Sequence, residues 1–481
     1  MFTIDAHWLN YIDGEWVDSA QHLSINNPGT AQPLATIAQA SQADAERAVA
    51  AARRCADSAA LSRVRPAQRV TWLLRIAEEI RAVAEEGAWV LCQENGKSLS
   101  DARDEFTEAA RYFEYYAGMA DKIEGTSIPL GNGYIDFTVY DPMGVSAQIV
   151  PWNFPVSICA RSLAPALAAG NAVVIKSPEL SPLGICVLIR AIAKAGLPNG
   201  AVNLICGRGR EVGTHLVRHA GVDQIVFTGS VATGQTILRD AAEHATPSVM
   251  ELGGKSAAIA FCDVDRQQLL ASVKGGIFFN AGQVCSAMSR LLVQRDIYEE
   301  IVQSVVELAE GLSVGLGQSN PDLTPVVSAV QLASIEKLCS RATAEGAVAV
   351  TGGEAFSDRA GHFMRPTVFR DVTPDMCIAQ EEVFGPVLAM IPFDSEDEAL
   401  AIANGTAFGL VAGVFTQDIN RAMRCARQLK AGQVFINEWY AGGIETPFGG
   451  VGLSGFGREK GQEALYSYVR TKNVAIRVAG E

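Results

Sequence analysis

The alternation of apolar and polar residues changes along the chain and marks its first elements. Near the start, Asp13-Gly14 lies between apolar positions that alternate with polar ones, which predicts a tight hairpin turn. Residues 43–59 and 67–93 then carry apolar side chains at helical spacing, and Gly96 provides a stop signal. These segments predict a helical layer in the N-terminal part of the chain.

From Val145 to Met250 the pattern becomes a regular alternation of short apolar runs and helical segments. The apolar runs have the length and composition of buried strands, and they occupy residues 146–150, 172–175, 202–205 and 224–227. Strands and helices in turn imply a parallel, doubly wound sheet with right-handed connections. A second α/β region follows Gly253-Gly254 and extends to about Gln433, with strands predicted at residues 290–294, 348–351 and 411–415.

Two further strand-like segments lie outside both α/β regions, at residues 134–140 and 466–478. If they pair, they form a small projecting sheet, and an exposed sheet of this kind is a common device for subunit contact. The sequence contains no internal repeat and no low-complexity tract. We therefore expect two α/β regions and a small strand-built element in one chain.

Composition narrows the classes of protein to which this chain can belong. Its 481 residues are 48% hydrophobic, and 39 basic residues against 53 acidic ones give a formal charge of −14. A chain this long and apolar supports more than one core, and its negative field disfavours nucleic acid and anionic membranes as partners. No run approaches the roughly 18 apolar residues of a membrane span, and the N-terminus lacks a basic segment followed by an apolar one. We expect a cytoplasmic protein.

Cysteine and histidine residues are dispersed in a way that predicts neither a disulfide scaffold nor a metal site. The ten cysteines never come at a metal-binding spacing, and most lie in apolar stretches, as small hydrophobic residues would. Among the six histidines, His215 and His219 have a helical i, i+4 spacing, but we identify no acidic or thiol companion for them. We interpret them as surface residues of a helix.

Cys285 is the strongest candidate nucleophile. It lies in the segment NAGQVCS at residues 280–286, after a helix-like run from Leu269 to Phe279. Gly and Gln before a cysteine favour a bend that turns the thiol and its own backbone N–H into a cleft. Taken alone, the motif favours one more buried cysteine, because reactivity depends on thiolate stabilisation that a sequence does not display. A thiol nucleophile also requires an oxyanion donor, a base and an electron acceptor.

Two segments supply a donor and a base. Asn153 lies between two prolines that follow a predicted strand, at the carboxyl edge of the sheet, where ligands of open α/β sheets bind. Its side-chain amide can donate to a developing oxyanion. Glu251 precedes Gly253-Gly254, whose backbone can approach a ligand closely, and it is a candidate general base. Considered alone, Glu251 is equally compatible with a solvated carboxylate at a strand end.

Two further strand ends indicate where an electron acceptor binds. Lys176 and Glu179 lie just beyond a predicted strand, placed to hold the hydroxyl groups of an adenosine ribose, with a solvated loop as the alternative. Gly229, Ser230 and Gly234 occupy a strand-to-helix turn, where helix N-terminal amides and the Ser230 hydroxyl can hold a pyrophosphate. Their spacing differs from the usual Gly-x-Gly-x-x-Gly fingerprint, so the glycines alone are a weak signal.

In this order, the motifs resemble those of the aldehyde dehydrogenase superfamily from about Trp16 to Val474, in particular its NAD-dependent, non-acylating branch. The resemblance implies that Cys285 is the nucleophile, Glu251 the general base and Asn153 the oxyanion donor, with Glu459 beside the site. It also implies a set of residues that bind NAD, including a carboxylate and an aromatic ring at the nicotinamide end. These residues are Val150, Trp152, Lys176, Glu179, Gly229, Ser230, Gly234, Leu252, Glu382 and Phe384.

The resemblance also implies fold, assembly and reaction. It predicts an α/β protein with a Rossmann-like NAD-binding domain at residues 1–123 and 141–252, an α/β catalytic domain at 253–440, and oligomerisation strands at 124–140 and 462–481. A homodimer or homotetramer is expected. The implied reaction oxidises an aldehyde to a carboxylic acid through a thiohemiacetal and a thioester on Cys285, and water activated by Glu251 hydrolyses the thioester.

Some positions depart from the family pattern. Arg161-Ser162 stands where many relatives have a Trp-Lys or Arg-Lys pair, and the missing lysine puts in doubt a proton relay to Glu459. Gly442 replaces an aromatic residue of several relatives, which implies a more open pocket.

Two rival functions are weaker. A coenzyme A-acylating enzyme generally lacks the carboxylate found here at Glu251, and a catalytically silent relative would usually have lost Cys285 or Glu251.

Charged residues point to two alternative substrate classes. Arg161 is compatible with an aldehyde that carries a carboxylate, as in semialdehyde dehydrogenases, but Phe279 stands where those enzymes can have a second arginine. Glu105 and Glu108 lie on the helix where aminoaldehyde dehydrogenases place carboxylates that attract an amine. Either set is also compatible with packing or surface charge, so the sequence leaves the aldehyde open.

Overall fold

Two large sheets, one of eight strands and one of seven, organise the computed structural model, which describes residues 2–478. The strands are β1 (His7–Trp8), β2 (Asn10–Ile12), β3 (Glu15–Val17), β4 (Gln21–Asn27), β5 (Gln32–Gln39), β6 (Ser127–Ile128), β7 (Tyr134–Pro142), β8 (Val145–Ile149), β9 (Ala172–Ser177), β10 (Val202–Cys206), β11 (Gln224–Thr228), β12 (Ser248–Glu251), β13 (Ala257–Ala260), β14 (Arg290–Gln294), β15 (Val348–Thr351), β16 (Thr367–Arg370), β17 (Val387–Phe393), β18 (Phe408–Gly409), β19 (Val411–Phe415), β20 (Gln433–Ile436), β21 (Val451–Gly452), β22 (Gly455–Phe456) and β23 (Val469–Arg477). The helices are α1 (Gln42–Asp57), α2 (Pro66–Asn95), α3 (Leu99–Met119), α4 (Pro155–Ala169), α5 (Leu183–Ala193), α6 (Thr214–Val217), α7 (Val231–Ala241), α8 (Arg266–Val273), α9 (Tyr298–Glu310), α10 (Ala329–Ala344), α11 (Cys377–Gln380), α12 (Glu396–Asn404), α13 (Ile419–Gln428) and α14 (Glu463–Ser467).

The N-terminal helices begin and end at residues with capping chemistry. Ser41 precedes α1 and forms a reciprocal capping box with Asp44. Helix α2 begins with Pro66, which needs no N–H partner in the first turn, and it ends at Gly96, whose φ of 88° is the left-handed conformation that glycine adopts readily. Both predicted helices are therefore confirmed, with ends that differ by one or two residues. The predicted Asp13-Gly14 hairpin turn is also present, between β2 and β3.

The eight-stranded sheet has the order β22-β12-β11-β8-β9-β10-β2-β3. Its five middle strands, β12, β11, β8, β9 and β10, are mutually parallel, and they include all four strands predicted in this region. The parallel arrangement predicted for these four strands is confirmed, and antiparallel strands extend the sheet at both edges. Strand β2 pairs with β10 antiparallel, and β22 pairs with β12 antiparallel. These edge strands come from outside the strand–helix alternation, one before it and one some 200 residues after it, so the right-handed crossover does not constrain their direction.

The seven-stranded sheet has the order β15-β16-β17-β14-β13-β19-β20, and only β15 is antiparallel to its neighbour. The three strands predicted here are confirmed as β14, β15 and β19. Successive residues of β13 contribute to two different cores, Ala258 and Ala260 to one, Ala257 and Ile259 to the other. Both faces of this sheet are therefore covered, as expected for a mostly parallel sheet.

Parallel strands bring three sequence motifs to one edge of the eight-stranded sheet. Strands β8, β11 and β12 are neighbours, and each ends just before or at a candidate residue: Asn153 follows β8, Ser230 follows β11, and Glu251 is the last residue of β12. The carboxyl edge of this sheet therefore collects residues from positions far apart in sequence.

A separate three-stranded sheet has the order β23-β7-β6. The two predicted segments pair antiparallel, from Val469 opposite Pro142 to Arg477 opposite Tyr134, so β7 extends beyond the predicted end at residue 140. Its large exposed apolar side chains include Tyr134, Ile135 and Ile476. Residues 479–481 of the predicted oligomerisation strands lie outside the described residues.

Three further predictions can be compared with the described part of the chain. None of the helices within residues 2–478 combines the length and apolar character needed to cross a bilayer. All ten cysteines are free of disulfides, as expected. His215 and His219 do have an acidic companion, contrary to the interpretation of the sequence: Glu46 of α1 contacts both rings, at 2.8 and 3.0 Å. This contact joins residues about 170 positions apart, which helical spacing does not reveal.

Candidate active site

Cys285 opens into a pocket of about 190 Å³ that is lined by helices α3 and α4, strand β20 and several loops. The pocket is mainly aromatic and aliphatic, and a few charged side chains reach it. The charged and aromatic side chains that line it include Glu108, Tyr112, Arg161, Tyr440, Phe448 and Lys460. Gly442 lines the same pocket.

An irregular backbone segment presents Cys285. The predicted helix from Leu269 to Phe279 is wrong in its second half: α8 ends at Val273, and a wide π-helical turn follows. Asn280 and Ala281 then have positive φ angles of 48° and 54°. Left-handed backbone at non-glycine residues costs about 1 kcal/mol or more, so surrounding contacts must hold it. Asn280 is a residue type that tolerates this conformation, whereas Ala281 gives no sequence signal for it.

Contacts of Gln283 and the lack of a side chain at Gly282 fix this segment. The Gln283 side chain donates to the Asn280 carbonyl at 3.0 Å and accepts from the Val327 N–H at 2.9 Å. A Cβ on Gly282 would lie 2.0 Å from the Gly385 carbonyl oxygen, so no other residue fits there. The Gly and Gln of the predicted motif therefore support the loop that carries the thiol.

Asn153 lies against the same loop. Its side-chain N–H donates to the Gln283 carbonyl at 3.0 Å, and the side chain is almost fully buried. An amide nitrogen has two N–H donors, so the second remains for an oxygen atom at the thiol. The backbone carbonyl of Asn153 accepts from Lys97 at 2.7 Å and from Asn280 at 3.2 Å. These two bonds orient the segment that carries the amide.

Glu251 is a buried carboxyl group without a hydrogen bond. It is 2% exposed, and neither of its oxygen atoms has a partner within residues 2–478. Burial raises its pKa well above the usual carboxyl range, the negative charge of Glu459 raises it further, and the positive charge of Arg161 lowers it. A Cβ on Gly449 would lie 2.7 Å from one oxygen of Glu251, so the backbone there packs directly on the carboxyl group. The solvated alternative for Glu251 is therefore wrong.

Arg161 and Ser162 both bind Glu459. Arg161 forms an ion pair with the Glu459 carboxylate, and the Ser162 hydroxyl donates to it at 2.5 Å. All three side chains are buried. The position that holds a lysine in many relatives thus contributes a neutral hydroxyl, while the neighbouring arginine supplies the positive charge. Arg161 also lies over the Phe448 ring, 5.5 Å from its centroid.

The thiol of Cys285 is protonated in its resting environment. Burial raises its pKa to about 12, the positive charge of Arg161 acts in the opposite direction, and the Glu251 carboxylate raises it. Thiolate formation therefore requires removal of a proton into the pocket or an added positive charge near sulfur.

Lys176 and Glu179 lie together at the carboxyl end of β9, where the sequence places a ribose clamp. Glu179 accepts from the Gly209 N–H at 2.7 Å, and a Cβ on Gly209 would lie within 4.0 Å of both side chains. Burial lowers the pKa of Lys176, and the Glu179 carboxylate opposes this effect. The two charged groups therefore flank one backbone segment, which agrees with a polar clamp.

Ser230 caps helix α7. Its hydroxyl accepts from the Thr233 N–H at 3.3 Å, so the first turn of the helix begins at this predicted phosphate site. Gly229 donates its N–H to the Glu251 carbonyl at 3.0 Å. A Cβ on Gly234 would lie 2.6 Å from the Leu252 side chain, so the helix packs closely on the end of β12. These contacts join the predicted phosphate turn to the strand that carries Glu251.

The residues predicted at the nicotinamide end also lie near Glu251. Glu382 accepts from the Gly254 N–H at 3.0 Å, and burial raises its pKa to about 7. Phe384 packs edge to face on Trp152, with 5.3 Å between ring centroids. Val150 is buried at the end of β8 and donates to the Lys176 carbonyl at 3.1 Å. Val150 and Trp152 thus lie at the carboxyl end of β8, and Glu382 and Phe384 reach this edge from the second α/β region.

Glu105 and Glu108 have different surroundings although they share α3. Glu105 is buried away from the pocket, where it pairs with Lys97 and accepts from the Val156 and Ser157 N–H groups at 3.1 Å. It caps the N-terminus of α4, so the interpretation of Glu105 as a substrate contact is wrong. Glu108 does line the pocket, and it accepts from the Ser157 hydroxyl at 2.5 Å.

Three residues near the site were not predicted from the sequence. Lys97 orients Asn153 and Glu105, Tyr440 faces Cys285 in the pocket, and Lys460 lies at the pocket with its pKa lowered by burial. No local pattern marks them, because each reaches the site from a different segment of the chain.

Fold and site together define an α/β enzyme that brings together the thiol of Cys285, the side-chain amide of Asn153 and the buried carboxyl group of Glu251. They lie beside a sheet edge that is predicted to bind a nucleotide. The family model that matches residues 16–474 is described as the aldehyde dehydrogenase family. The chain belongs to this family. It is 39% identical to a betaine aldehyde dehydrogenase of Bacillus subtilis over 96% of both chains. It is also 39% identical to an aldehyde dehydrogenase of Aspergillus niger, over 97% of this chain and 95% of the relative.

Solved structures agree with this assignment. An aldehyde dehydrogenase from Bacillus cereus in complex with NAD+ is 37% identical, with a TM-score of 0.96 over 98% of this chain and 97% of that chain. The predicted fold class is therefore confirmed, including its relation to aldehyde dehydrogenases.

Proposed function

We propose that this chain oxidises an aldehyde to a carboxylic acid with NAD as the electron acceptor, through a covalent intermediate on Cys285. The observation that carries this function is the position of Cys285 in a pocket, on a loop that accepts a hydrogen bond from the Asn153 amide. The buried carboxyl group of Glu251 has no hydrogen-bond partner in the described part of the chain, and its negative charge raises the pKa of the Cys285 thiol. A nucleophile, a donor and a base are thus within one site.

In the first half of the reaction, the Cys285 thiolate attacks the aldehyde carbon and forms a thiohemiacetal. The second N–H of Asn153 and the backbone N–H of Cys285 stabilise the oxyanion that develops. NAD, when bound, supplies the acceptor for the hydride that leaves the thiohemiacetal. The product of this half is a thioester on Cys285.

In the second half, Glu251 removes a proton from the water molecule that attacks the thioester. Its raised pKa makes it a stronger base than a solvated carboxylate once it is ionised. The carboxylic acid then leaves and Cys285 returns to its thiol form. Arg161 and Ser162 hold Glu459 in place, and the ion pair keeps a positive charge near both Glu251 and Cys285.

The residues of this chain fit NAD. Lys176 and Glu179 would hold the adenosine ribose. The first turn of α7, with Gly229, Ser230 and Gly234, would hold the pyrophosphate. Glu382 and Phe384 would contact the nicotinamide ribose and ring. Trp152, Val150 and Leu252 would form the walls between them. Support comes from the polar clamp at Gly209 and from the N-terminal turn of α7, which begins at Ser230.

Assembly and location follow from the same proposal. The NAD-binding domain would comprise residues 1–123 and 141–252, the catalytic domain residues 253–440, and the sheet of β23, β7 and β6 would join subunits into a dimer or tetramer in the cytoplasm. The exposed apolar side chains of that sheet, Tyr134, Ile135 and Ile476, support an intersubunit role.

The charges in the pocket favour neutral or aminated aldehydes over anionic ones. Arg161 is already paired with Glu459, so it offers no free positive charge to a substrate carboxylate. Glu108 contributes a negative charge to the pocket wall. NADH formation with matched acidic, neutral and aminated aldehydes should therefore give the lowest kcat/KM for the acidic series. If no aldehyde yields NADH, the proposed function is contradicted. If the enzyme prefers the acidic aldehydes, only the argument from the pocket charges is contradicted.

Cofactor choice is expected to depend on Glu179. A carboxylate at the adenosine ribose repels a 2′-phosphate by on the order of a few kcal/mol, so NAD should be preferred over NADP by about tenfold or more. Replacing Glu179 by serine should raise kcat/KM with NADP and lower it with NAD. The exposed Glu243, at the other end of α7, provides the control variant Glu243→Ser. Equal kcat/KM values for the two cofactors in the unmodified enzyme would contradict the proposed clamp.

A further inference from the structure

Two imidazoles and a carboxylate converge far from the pocket, near the N-terminus. The Nε2 atoms of His7 and His22 lie 3.0 and 3.1 Å from the same oxygen of Asp18. One potential ligand atom from each residue lies within 4.8 Å of the other two. We refer to these residues as the His7–Asp18–His22 cluster. Their side chains are 35%, 55% and 41% exposed, so solvent and ions reach them.

The cluster joins two separate sheets. His7 lies in β1 and His22 in β4, which flank β5 in a three-stranded sheet, whereas Asp18 directly follows β3 at the edge of the eight-stranded sheet. The backbone N–H of Ser19 donates to the Asp18 carboxylate at 2.8 Å.

Hydrogen bonds on the other side of the His7 ring leave its Nε2 atom available as a ligand. His7 Nδ1 lies 3.0 Å from the Thr36 hydroxyl oxygen, which is also 3.2 Å from the Ala6 carbonyl. A proton on Nδ1 can be donated to Thr36, and Nε2 then directs a lone pair toward the Asp18 carboxylate, 3.0 Å away. A metal cation between these two acceptors would bind both.

Two further histidines, His215 and His219, contact Glu46 in a different way. His219 Nδ1 accepts from the Gly221 N–H at 2.8 Å, so the ring proton is on Nε2 and donates to Glu46 at 3.0 Å. That contact is complete without a cation. The Gly221 N–H fixes this tautomer, whereas the Thr36 hydroxyl at His7 Nδ1 can accept a proton and so permits a lone pair on Nε2.

We propose that the His7–Asp18–His22 cluster binds a divalent first-row transition ion, with Zn²⁺ as the ion whose geometry it fits best. Two imidazole nitrogens and one carboxylate oxygen are ligands that zinc prefers. Ligand atoms around tetrahedral zinc are about 3.4 Å apart, given bond lengths of about 2.1 Å, so the observed spacing needs only small side-chain movements. Water completes the fourth position, and Thr36 orients the His7 ring as a carbonyl or carboxylate does in other zinc sites.

Bound zinc would fasten β1 and β4 to the end of β3. Because the ligands come from residues 7, 18 and 22, the ion closes a short loop and stabilises the N-terminal sheet without contact with the pocket. The sequence predicts no metal site, since the spacing of these residues matches no zinc motif and depends on how three strands are arranged.

Zinc titration of the full-length, untagged chain tests this site. The background carries Cys285→Ala and Cys262→Ser, because these two cysteines are the ones that are not buried. Calorimetry should show one zinc ion bound per chain, and Co²⁺ should produce visible absorption bands in the same titration. His22→Gln and His7→Gln should abolish both signals. Thr36→Val should weaken zinc binding by about tenfold, the usual effect of losing a group that orients a ligand.

Control variants separate this site from general zinc adsorption. His219→Gln removes a less exposed histidine that also contacts a carboxylate, and it should leave the stoichiometry and affinity unchanged. Circular dichroism should show that every variant is folded. Absence of zinc binding in the background protein, or an unchanged stoichiometry in His22→Gln, would overturn the proposal. Loss of binding in His219→Gln as well would also overturn it, because the tautomer argument would then not distinguish the two clusters.

Discussion

Replacing Cys285 by alanine is expected to lower aldehyde oxidation by about a thousandfold or more, the scale observed when a covalent nucleophile is lost. Alanine keeps the Cβ and the backbone of the loop, so Gln283, Asn280 and the Asn153 contact should remain. Binding of NAD, measured by calorimetry, should be unchanged, because the proposed ribose and phosphate contacts lie on other strands. Steady-state NADH formation measures the effect.

The control variant is Cys262→Ala, which removes a solvent-exposed cysteine outside the pocket and should retain full activity. Retention of more than a few per cent of the rate in Cys285→Ala would show that a thiol other than Cys285, or no thiol, forms the intermediate. Loss of NAD binding together with activity would instead indicate that the loop has collapsed, and the less drastic Cys285→Ser would then be needed.

Replacing Glu251 by glutamine should slow hydrolysis of the thioester much more than its formation. Glutamine has nearly the same shape, so the buried volume against Gly449 is preserved, but an amide does not remove a proton from water. Rapid mixing should show a burst of about one NADH per active site, followed by slow turnover. Mass spectrometry of the quenched variant should detect the acyl group on Cys285. A burst that falls in proportion to the steady-state rate would show that Glu251 acts earlier, in forming the thiolate.

The pH dependence of thioester hydrolysis provides a second test of the role of Glu251 as a general base. Because burial raises its pKa, the carboxyl group is protonated and inactive as a base below that pKa, and it gains activity as the pH rises above the usual carboxyl range. The rate of thioester hydrolysis in the unmodified enzyme should therefore increase as the pH rises above the usual carboxyl value of 4.5. In Glu251→Gln this increase should disappear. If water is the natural acceptor of the acyl group, added coenzyme A should not restore turnover to Glu251→Gln.

Much of the fold could be predicted because its strands are short, apolar and separated by clear helices. Strands β9, β10 and β11 are almost fully buried, and such runs are recognisable without knowledge of their neighbours. Strand β22, in contrast, has only two residues and depends on its pairing with Met250 and Glu251. Its length and its antiparallel direction follow from tertiary contact, so a local pattern does not reveal them.

The candidate site could be predicted where a motif follows a strand. Asn153, Ser230 and Glu251 are examples, since parallel strands bring their carboxyl ends to one edge. The sequence does not show how charges are paired. Glu105 has the spacing of a pocket residue, but Lys97 and two backbone amides engage it. Arg161 has the position of a substrate ligand, but Glu459, almost 300 residues later, neutralises it. Such long-range pairs depend on the complete fold.

The pairing of β22 with β12 has a consequence for synthesis of the chain. The eight-stranded sheet contains residues as early as Asn10 and as late as Phe456, and the late strand borders Glu251 directly. A ribosome must therefore pass residue 456 before the sheet has its last edge and before Glu459 can meet Arg161. Earlier nascent chains can fold their parallel strands, but they leave the edge of β12 open to other chains. Activity should emerge only as translation nears completion, and ribosomes stalled before and after residue 456 would separate the two states.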